Sequence, residues 1–221
     1  MKKIVIIFLL IISMIQNISA HDAEANTIID KMIIDGYGGK ENIMKLYNYK
    51  QVWDITPTMS DIKGTDYRSV HVPHTLVVKL VYPHKTEVRK LINGQGEKQY
   101  GKDIIKAKGP MLDAMKLQLI RLYNPIELKK RTLNIGVTED NDNYILKLIV
   151  GTLNAKYFVS KKTYLITKVI GELRVGVKTM AFITHYEDYR NIDGVMVHHK
   201  EIKYAGNINT AVLELRAINF N

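Results

Sequence analysis

The chain has 221 residues, of which 46% are hydrophobic and 24% are charged, a composition that excludes disordered and collagen-like proteins. It carries 32 lysines and arginines against 22 aspartates and glutamates, so its formal net charge at pH 7 is +10. Cysteine is absent, which excludes a disulfide scaffold, a thiolate-ligated zinc or iron–sulfur site, a cysteine nucleophile and a lipid-modified cysteine anchor.

The N-terminus has the order of features of a secretory signal peptide. Lys2 and Lys3 precede an apolar run over residues 4–12, and the small residue Ala20 stands at the expected cleavage position. The run is shorter than the about 20 apolar residues that a membrane-spanning helix needs, and an uncleaved N-terminal anchor is the alternative. We expect cleavage after residues 1–20 and a periplasmic location, because an exported protein without an anchor is retained only in a cell with two membranes.

The remainder, residues 21–221, begins with a helical pattern. Apolar residues recur at intervals of three and four from Ala25 to Ile33, which predicts an amphipathic helix. We expect Asp22 to cap this helix and the glycines after Asp35 to end it, since glycine readily adopts the left-handed conformation of helix C-termini. A short second helix is predicted over residues 41–46.

From Tyr47 onward the hydrophobic period changes from helical spacing to alternation. Aromatic and apolar side chains alternate with polar ones over residues 47–56 and again over residues 76–82, as in strands with one wet face. The pair Asn93 and Gly94 predicts a hairpin turn. Residues 110–122 interrupt the alternation with a proline at the first turn and apolar side chains at helical spacing, which predicts a helix of about three turns.

After residue 132, turn signals separate a series of alternating segments. We count about ten or eleven predicted strands in the whole chain, and no linker or repeat divides them. Because helices rarely separate consecutive strands, antiparallel pairing is expected. The residues therefore predict a mainly β, α+β domain whose large sheet either closes into a barrel or curls around covering helices.

No motif in the sequence carries catalysis or metal binding. His71 and His74 are separated by Pro73, which prevents the regular helix that would align their rings. His198 and His199 are neighbours on a predicted strand and should face opposite sides of the sheet. We therefore interpret the histidines as surface residues, and expect no metal, no cofactor and no enzyme activity; a catalytic site assembled only in space is the alternative.

The excess of positive charge is spread along the chain. Short basic runs such as residues 129–131 and 161–162 lack the aromatic and glycine residues of nucleic-acid recognition motifs. We expect no nucleic-acid partner, and attraction to anionic membrane surfaces or acidic partners instead.

The order of these features resembles the periplasmic carriers of outer-membrane lipoproteins (LolA-type) and their relatives. The resemblance covers nearly all of residues 21–221. Besides the signal peptide and the helix over residues 110–122, it rests on Gly38-Gly39, the strand around Trp53, the Tyr82-Pro83-x-Lys85 step and the hairpin sequence from Tyr186 to Val195. The chain departs from many relatives in having His198-His199 where they have proline. The resemblance implies an incomplete antiparallel β-barrel with helices as a lid over an apolar cavity.

The resemblance also implies a function. Members of that family carry acyl chains of lipoproteins or other lipids, received from an inner-membrane donor and passed to an outer-membrane acceptor; the expected state is a monomer. A sensor or binding domain that regulates a membrane partner is the alternative. From strand alternation and from the helix over residues 110–122, we predict that the cavity is lined by Trp53, Leu76, Val78, Leu80, Met111, Met115, Leu119, Leu146, Leu148, Phe182 and Leu213. The alternative for Met111 and Met115 is an ordinary core position.

Overall fold

The computed structural model describes residues 23–221. They begin in an α-helix over residues 23–31 that runs directly into a π-helical turn, Met32–Gly36; together these segments are α1. Its buried face carries Ala25, Ile28, Ile29, Met32 and Ile33. These are the positions whose spacing predicted an amphipathic helix, so that prediction is confirmed. The predicted signal peptide, residues 1–20, and the predicted cap Asp22 lie outside the described residues.

The other helical segments are short. They are α2 (Lys40–Ile43) with a following 3₁₀ turn (Met44–Tyr47), α3 (Pro110–Ile120), α4 (Pro125–Lys129) and a 3₁₀ turn (Thr132–Asn134). The helix predicted over residues 110–122 is thus present as α3, with Pro110 in its first turn. α4 is a separate helix, because the side chain of Asn124 accepts a hydrogen bond from the Glu127 N–H at 2.9 Å and caps a new N-terminus.

The described residues form thirteen β-strands. In chain order they are β1 (Asn48–Pro57), β2 (Gly64–His71), β3 (Thr75–Tyr82), β4 (Lys85–Ile92), β5 (Gln95–Tyr100), β6 (Asp103–Ala107), β7 (Ile135–Glu139), β8 (Asn143–Val150), β9 (Leu153–Ser160), β10 (Ile166–Val175), β11 (Lys178–Ile192), β12 (Val195–Ala205) and β13 (Ile208–Phe220). All belong to one antiparallel sheet, in which β1 pairs with β13 at the centre and β6 and β7 are the edges. The antiparallel prediction is confirmed, and the sheet is not closed into a barrel.

Thirteen strands exceed the ten or eleven that alternation predicted. The edge strand β6 shows why some strands escape this pattern. Its first four residues are exposed on both faces and only Ala107 is buried. Because neither face is covered, apolar and polar residues do not alternate along the strand, and alternation cannot predict it.

The sheet curls around α3. This helix packs against β4 and β5 near one edge and against β9 and β10 near the other. β4 and β10 are seven positions apart in the sheet, which would be about 34 Å in a flat sheet at about 4.8 Å per strand. A helix only about 10–12 Å wide can touch both only if the sheet bends around it. The chain passes through α3 on its way from edge strand β6 to edge strand β7, so the helix lies inside the curve.

Two glycines allow α3 to approach the sheet closely. A Cβ atom on Gly96 of β5 would lie 2.9 Å from the sulfur of Met115, and one on Gly171 of β10 would lie 2.9 Å from Cγ of Leu117. Met115 and Leu117 are both buried in the largest apolar core, which also contains α1 side chains. The helix is therefore seated on the inner face of the sheet at both ends of the curve.

Residues 23–221 contain no helix that is long and apolar enough to cross a membrane.

Candidate functional site

A cavity of about 310 Å³ lies between α3 and the inner face of the sheet. This volume is at the lower end of the about 300–1,000 Å³ typical of ligand pockets. One wall is apolar and is formed mostly by α3 and the residues after it: Met111, Ala114, Met115, Leu117 and Leu122, with Phe182 from β11. The spacing of the α3 residues at three and four positions places them on one side of the helix.

The opposite wall is charged. Its ionised side chains come from four strands and from the end of α3: Arg68, Arg89, Lys98, Arg121, Glu201 and Lys203. Strand alternation explains why charges face inward. Arg68 lies two residues before the fully buried Val70 on β2, and Arg89 lies two residues before the buried Leu91 on β4, so each shares the inner face with its neighbour.

A buried ion-pair network holds the centre of this wall. Arg68 donates two hydrogen bonds to Glu201, at 2.7 and 2.9 Å, and a third to Asp66 at 2.8 Å. The side chains of all three are at most 3% exposed. Burial alone would raise the pKa of Glu201, but Arg68, Lys203 and His198 together hold that pKa well below its ordinary value. Glu201 is therefore an anion that already has its cationic partners.

His198 belongs to this network rather than to the surface. Its ring stacks on Trp53 with 5.5 Å between centroids and lies 4.3 Å from the ring of Tyr186, while its Nε2 is 3.2 Å from Oε1 of Glu201. The guanidinium of Arg68 lies over Trp53 at 5.0 Å. The surface interpretation of His198 is wrong, because β13 pairs with both β1 and β12, and β12 pairs with β11, which brings Trp53, His198 and Tyr186 together.

A second carboxylate, Glu87, pairs with both cations at the β4–β5 side of the cavity and balances one of their two charges. Glu87 is buried and accepts a hydrogen bond from Nε of Arg89, and its Oε1 lies 3.2 Å from Nζ of Lys98. Burial opposes ionisation of Glu87, but hydrogen bonds from Tyr100 and Arg89 keep its pKa below the ordinary value. Arg89 and Lys98 thus have a common anionic partner.

Arg121 is different from the other cations of the cavity. It directly follows α3 and donates a hydrogen bond from its guanidinium to the Thr184 hydroxyl. Its Nε is shielded from solvent and has no hydrogen-bond partner, and within residues 23–221 it forms no ion pair with a carboxylate. A Cβ on Gly171 would come within 2.7 Å of Cδ of Arg121, so the glycine makes room for this side chain.

A smaller cavity of about 60 Å³ lies beyond Arg121. It is lined mainly by aromatic and aliphatic side chains, among them Tyr49, Tyr123 and Tyr189. Arg121, Leu122 and Tyr186 line both cavities. These three residues therefore divide one inner space into a larger amphipathic chamber and a smaller aromatic one.

Comparison with solved structures shows which fold this is. A domain from Vibrio parahaemolyticus described as an outer membrane lipoprotein-sorting protein matches with a TM-score of 0.50 and 9% identity, covering 80% of this chain and 86% of that one. A LolA superfamily protein from Nitrosomonas europaea matches with a TM-score of 0.53 and 11% identity, covering 89% and 93%. The chain has the LolA-type fold. No family model and no curated protein matches the sequence, so the likeness is one of fold.

Within this LolA-type fold, the predicted cavity residues occupy three kinds of position. Met111, Met115 and Phe182 line the larger cavity. Leu76, Val78, Leu119, Leu146 and Leu148 are buried in the main core. Trp53 and Leu213 form a separate cluster with Ile55, and Leu80 packs against both groups. Alternation identifies the inner face of a strand, but it does not show whether a helix, another side chain or empty space covers that face.

The charged wall of the cavity was missed from the sequence. Arg68 and Glu201 are 133 residues apart, and Arg121 and Thr184 are 63 residues apart, so neither pair is visible as a motif. One signal was present: Asp66, Arg68 and Val70 alternate along one strand, which places two charges on the same face as a buried valine. Among residues 23–221, no group of three or more histidine, aspartate or glutamate side chains is arranged to hold a metal ion.

Proposed function

We propose that this protein is an exported, periplasmic carrier that shelters acyl chains of lipoproteins or other lipids during their transfer toward the outer membrane. It acts as a monomer without enzymatic activity, and it exchanges cargo with an inner-membrane donor and an outer-membrane acceptor. The observation that carries the proposal is the cavity of about 310 Å³ whose α3 wall is formed by apolar side chains. The lipoprotein-sorting description of the Vibrio parahaemolyticus neighbour supports it.

The energetics of an acyl chain favour such a site. Burying one methylene is favourable by about 0.8 kcal/mol, so exposing a whole sixteen-carbon chain to water costs roughly 12 kcal/mol of free energy. A soluble shuttle must offset most of this cost with its own apolar surface. Met111 and Met115 provide flexible, polarizable contacts that adapt to chains of different shape.

Release requires that the apolar wall can move. The segments that join α3 to its neighbours contain a glycine at the start, Gly109 with φ of 51°, and Asn124–Pro125 after the end. We infer that α3 is the element that shifts to admit and release cargo, because its residues Met111, Ala114 and Met115 form the apolar wall of the cavity.

The test is uptake of a fluorescent fatty acid by the purified protein and by two matched variants. Ala114→Phe places a ring in the cavity, whereas Ala217→Phe makes the same change at an exposed position of β13. We expect Ala114→Phe to weaken binding by at least about tenfold, the equivalent of roughly two methylenes of lost burial. Ala217→Phe should bind like the parent protein. Equal affinity of a folded Ala114→Phe variant would contradict the proposed cavity.

A second function, regulation of a membrane partner by a sensor domain of the same fold, is favoured by the edge strand β6. Its neighbouring side chains Ile104 and Ile105 are 60% and 47% exposed, and its outer edge pairs with no strand of residues 23–221. Such an edge can accept a strand from another protein. A partner protein that binds the Ala114→Phe variant as well as the parent would support this function over lipid carriage.

A further inference from the structure

We propose that the ligand of the larger cavity is an anionic amphiphile, whose carboxylate or phosphate group pairs with the guanidinium of Arg121 while its hydrocarbon chain lies along the α3 wall. This inference rests on the proposed lipid-binding function and deepens it by naming the chemical class of the ligand. Its basis is the distribution of charge around the cavity.

The cations and carboxylates of the cavity do not balance. Five cationic side chains line it, namely Arg68, Arg89, Lys98, Arg121 and Lys203. The carboxylates that pair with them within residues 23–221 are three, Asp66, Glu87 and Glu201. Two positive charges are therefore in excess, and one of them is on Arg121, whose Nε is shielded from solvent; unpaired charge at a shielded position is costly. A bound anion would offset this excess.

One of the two excess charges is on Arg121, and the other is on the pair Arg89 and Lys98, which share Glu87. Glu201 is already held by both terminal nitrogens of Arg68, at 2.7 and 2.9 Å, and by Lys203 at 3.2 Å. Glu87 is shared by the two cations of the β4–β5 side. Arg121 has one neutral partner, the Thr184 hydroxyl, and a shielded Nε that has none. A guanidinium has five donors in a planar fork that matches carboxylate and phosphate oxygens.

The ionisation behaviour of two side chains agrees with this placement. Burial lowers the pKa of Arg121 below its ordinary value, and burial followed by repulsion from Arg68 lowers the pKa of Lys203. Arginine remains protonated at neutral pH despite such a shift. Burial thus disfavours the charged form of both side chains, and an anion between them would reverse the effect.

The apolar wall begins next to this charge. Leu117 lies one helical turn before Arg121, and Met111, Ala114 and Met115 continue along α3 away from it. Among the cations of the charged wall within residues 23–221, Arg121 is the one that forms no ion pair with a carboxylate, and it stands at the end of the apolar α3 surface. A charged group held at the end of an apolar surface is the arrangement that orients an amphiphile. The site therefore fits an acid head and an alkyl tail better than it fits a neutral lipid.

The experiment measures binding of dodecanoate, dodecyl phosphate and dodecanol to the full exported protein by titration calorimetry. These probes have the same chain and differ in head group. We expect at least one of the two anions to bind about tenfold or more tightly than the alcohol, as one charge-assisted interaction supplies. Preference for dodecanoate would identify a fatty-acid head, and preference for dodecyl phosphate would identify a phospholipid-like head.

Variants then locate the interaction. Arg121→Gln should abolish the preference for the anion and leave dodecanol affinity within about twofold, while Arg121→Lys should retain part of it. The matched control Arg89→Gln removes a cation that Glu87 already pairs, so it should change the preference less.

Two results would overturn the inference, and they differ. If all three probes bind equally in the parent protein, the anion site is excluded while the carrier function stands. If no probe binds, both the carrier function and the anion site are excluded. The comparison of probes in the parent protein decides the matter even where a variant fails to fold.

Discussion

Among single residues, the charged wall of the cavity depends on the buried cluster of Asp66, Arg68 and Glu201, whose charges stabilise one another. Glu201 is 1% exposed and is hydrogen-bonded by Arg68 and His198. Removing one member of such a cluster leaves the remaining charges buried without a partner, which lowers the unfolding free energy strongly. Replacing the whole ion pair by apolar side chains would change the unfolding free energy much less. The cluster therefore makes the position of β12 against β2 sensitive to small chemical changes.

The first residue-scale prediction concerns Glu201→Gln. We expect this variant to lose about 3–5 kcal/mol of unfolding free energy at neutral pH, because Arg68 keeps only Asp66 as an ionic partner. Urea unfolding followed by circular dichroism measures the loss. Glu187→Gln is the matched control, since Glu187 forms an ion pair of 2.8 Å with Lys200 that is exposed to solvent, and it should change stability little.

The same variant has a predicted pH dependence. Because the pKa of folded Glu201 lies well below its ordinary value of 4.5, the ionised carboxylate contributes its full stabilisation above 4.5. That contribution is lost as the pH falls below 4.5 toward the folded pKa. The stability difference between the parent protein and Glu201→Gln should therefore shrink on acidification. A difference that stays constant down to the acid transition would show that Glu201 does not titrate in this way.

The burial of apolar side chains was predictable from the sequence, because it depends only on alternation along a strand. Leu146 and Leu148 were predicted on an inner face, and both are fully buried. Arg121 was not predicted as part of a site, because its role depends on its hydrogen bond to Thr184 on β11 and on its having no ion pair with a carboxylate within residues 23–221. Such information depends on three-dimensional neighbours rather than on periodicity.

At the scale of elements, the placement of α3 is the feature on which the cavity depends. Its existence was predicted from Pro110 and from a stripe of apolar residues, and the structure confirms it. Its height above the sheet was not predictable, because that height is set by Gly96 and Gly171 on strands distant in sequence. Short edge strands such as β6 were also missed, since exposure on both faces removes the period of two.

The element-scale prediction is that Gly171→Ala lifts α3 from β10. The new Cβ would lie 2.7 Å from Cδ of Arg121 and 2.9 Å from Cγ of Leu117, so the helix or the strand must move. We expect a loss of about 1–3 kcal/mol in unfolding free energy, typical of overpacking in a core. Thermal unfolding monitored by circular dichroism measures it.

Gly136→Ala on β7 is the matched control. A Cβ at that position meets no atom within 4 Å, and the residue is not among the glycines with positive φ. The substitution should leave stability unchanged or raise it slightly by restricting the unfolded chain. If Gly171→Ala were as stable as Gly136→Ala, the close seating of α3 on β10 would be contradicted.

At the scale of the whole molecule, the fold joins two distant parts of the chain at its centre. β1 pairs with β13, from Tyr49 opposite Phe220 to Pro57 opposite Ala211. Antiparallel hairpins could be predicted from alternation and turns, but this pair has no local signal because the two strands are far apart in the sequence. The resemblance in the order of motifs supplied the overall architecture, and the LolA-type fold confirms it.

The proposed function requires that the space between α3 and the curled sheet holds an acyl chain. Native mass spectrometry of the protein purified from its own cells tests this requirement, because it weighs whatever the protein carries. We expect a bound mass, released on denaturation as a molecule with an acyl chain, in the parent protein and in Ala217→Phe but not in Ala114→Phe. A parent protein that is free of bound lipid, or an equal load in Ala114→Phe, would show that this space does not hold the cargo.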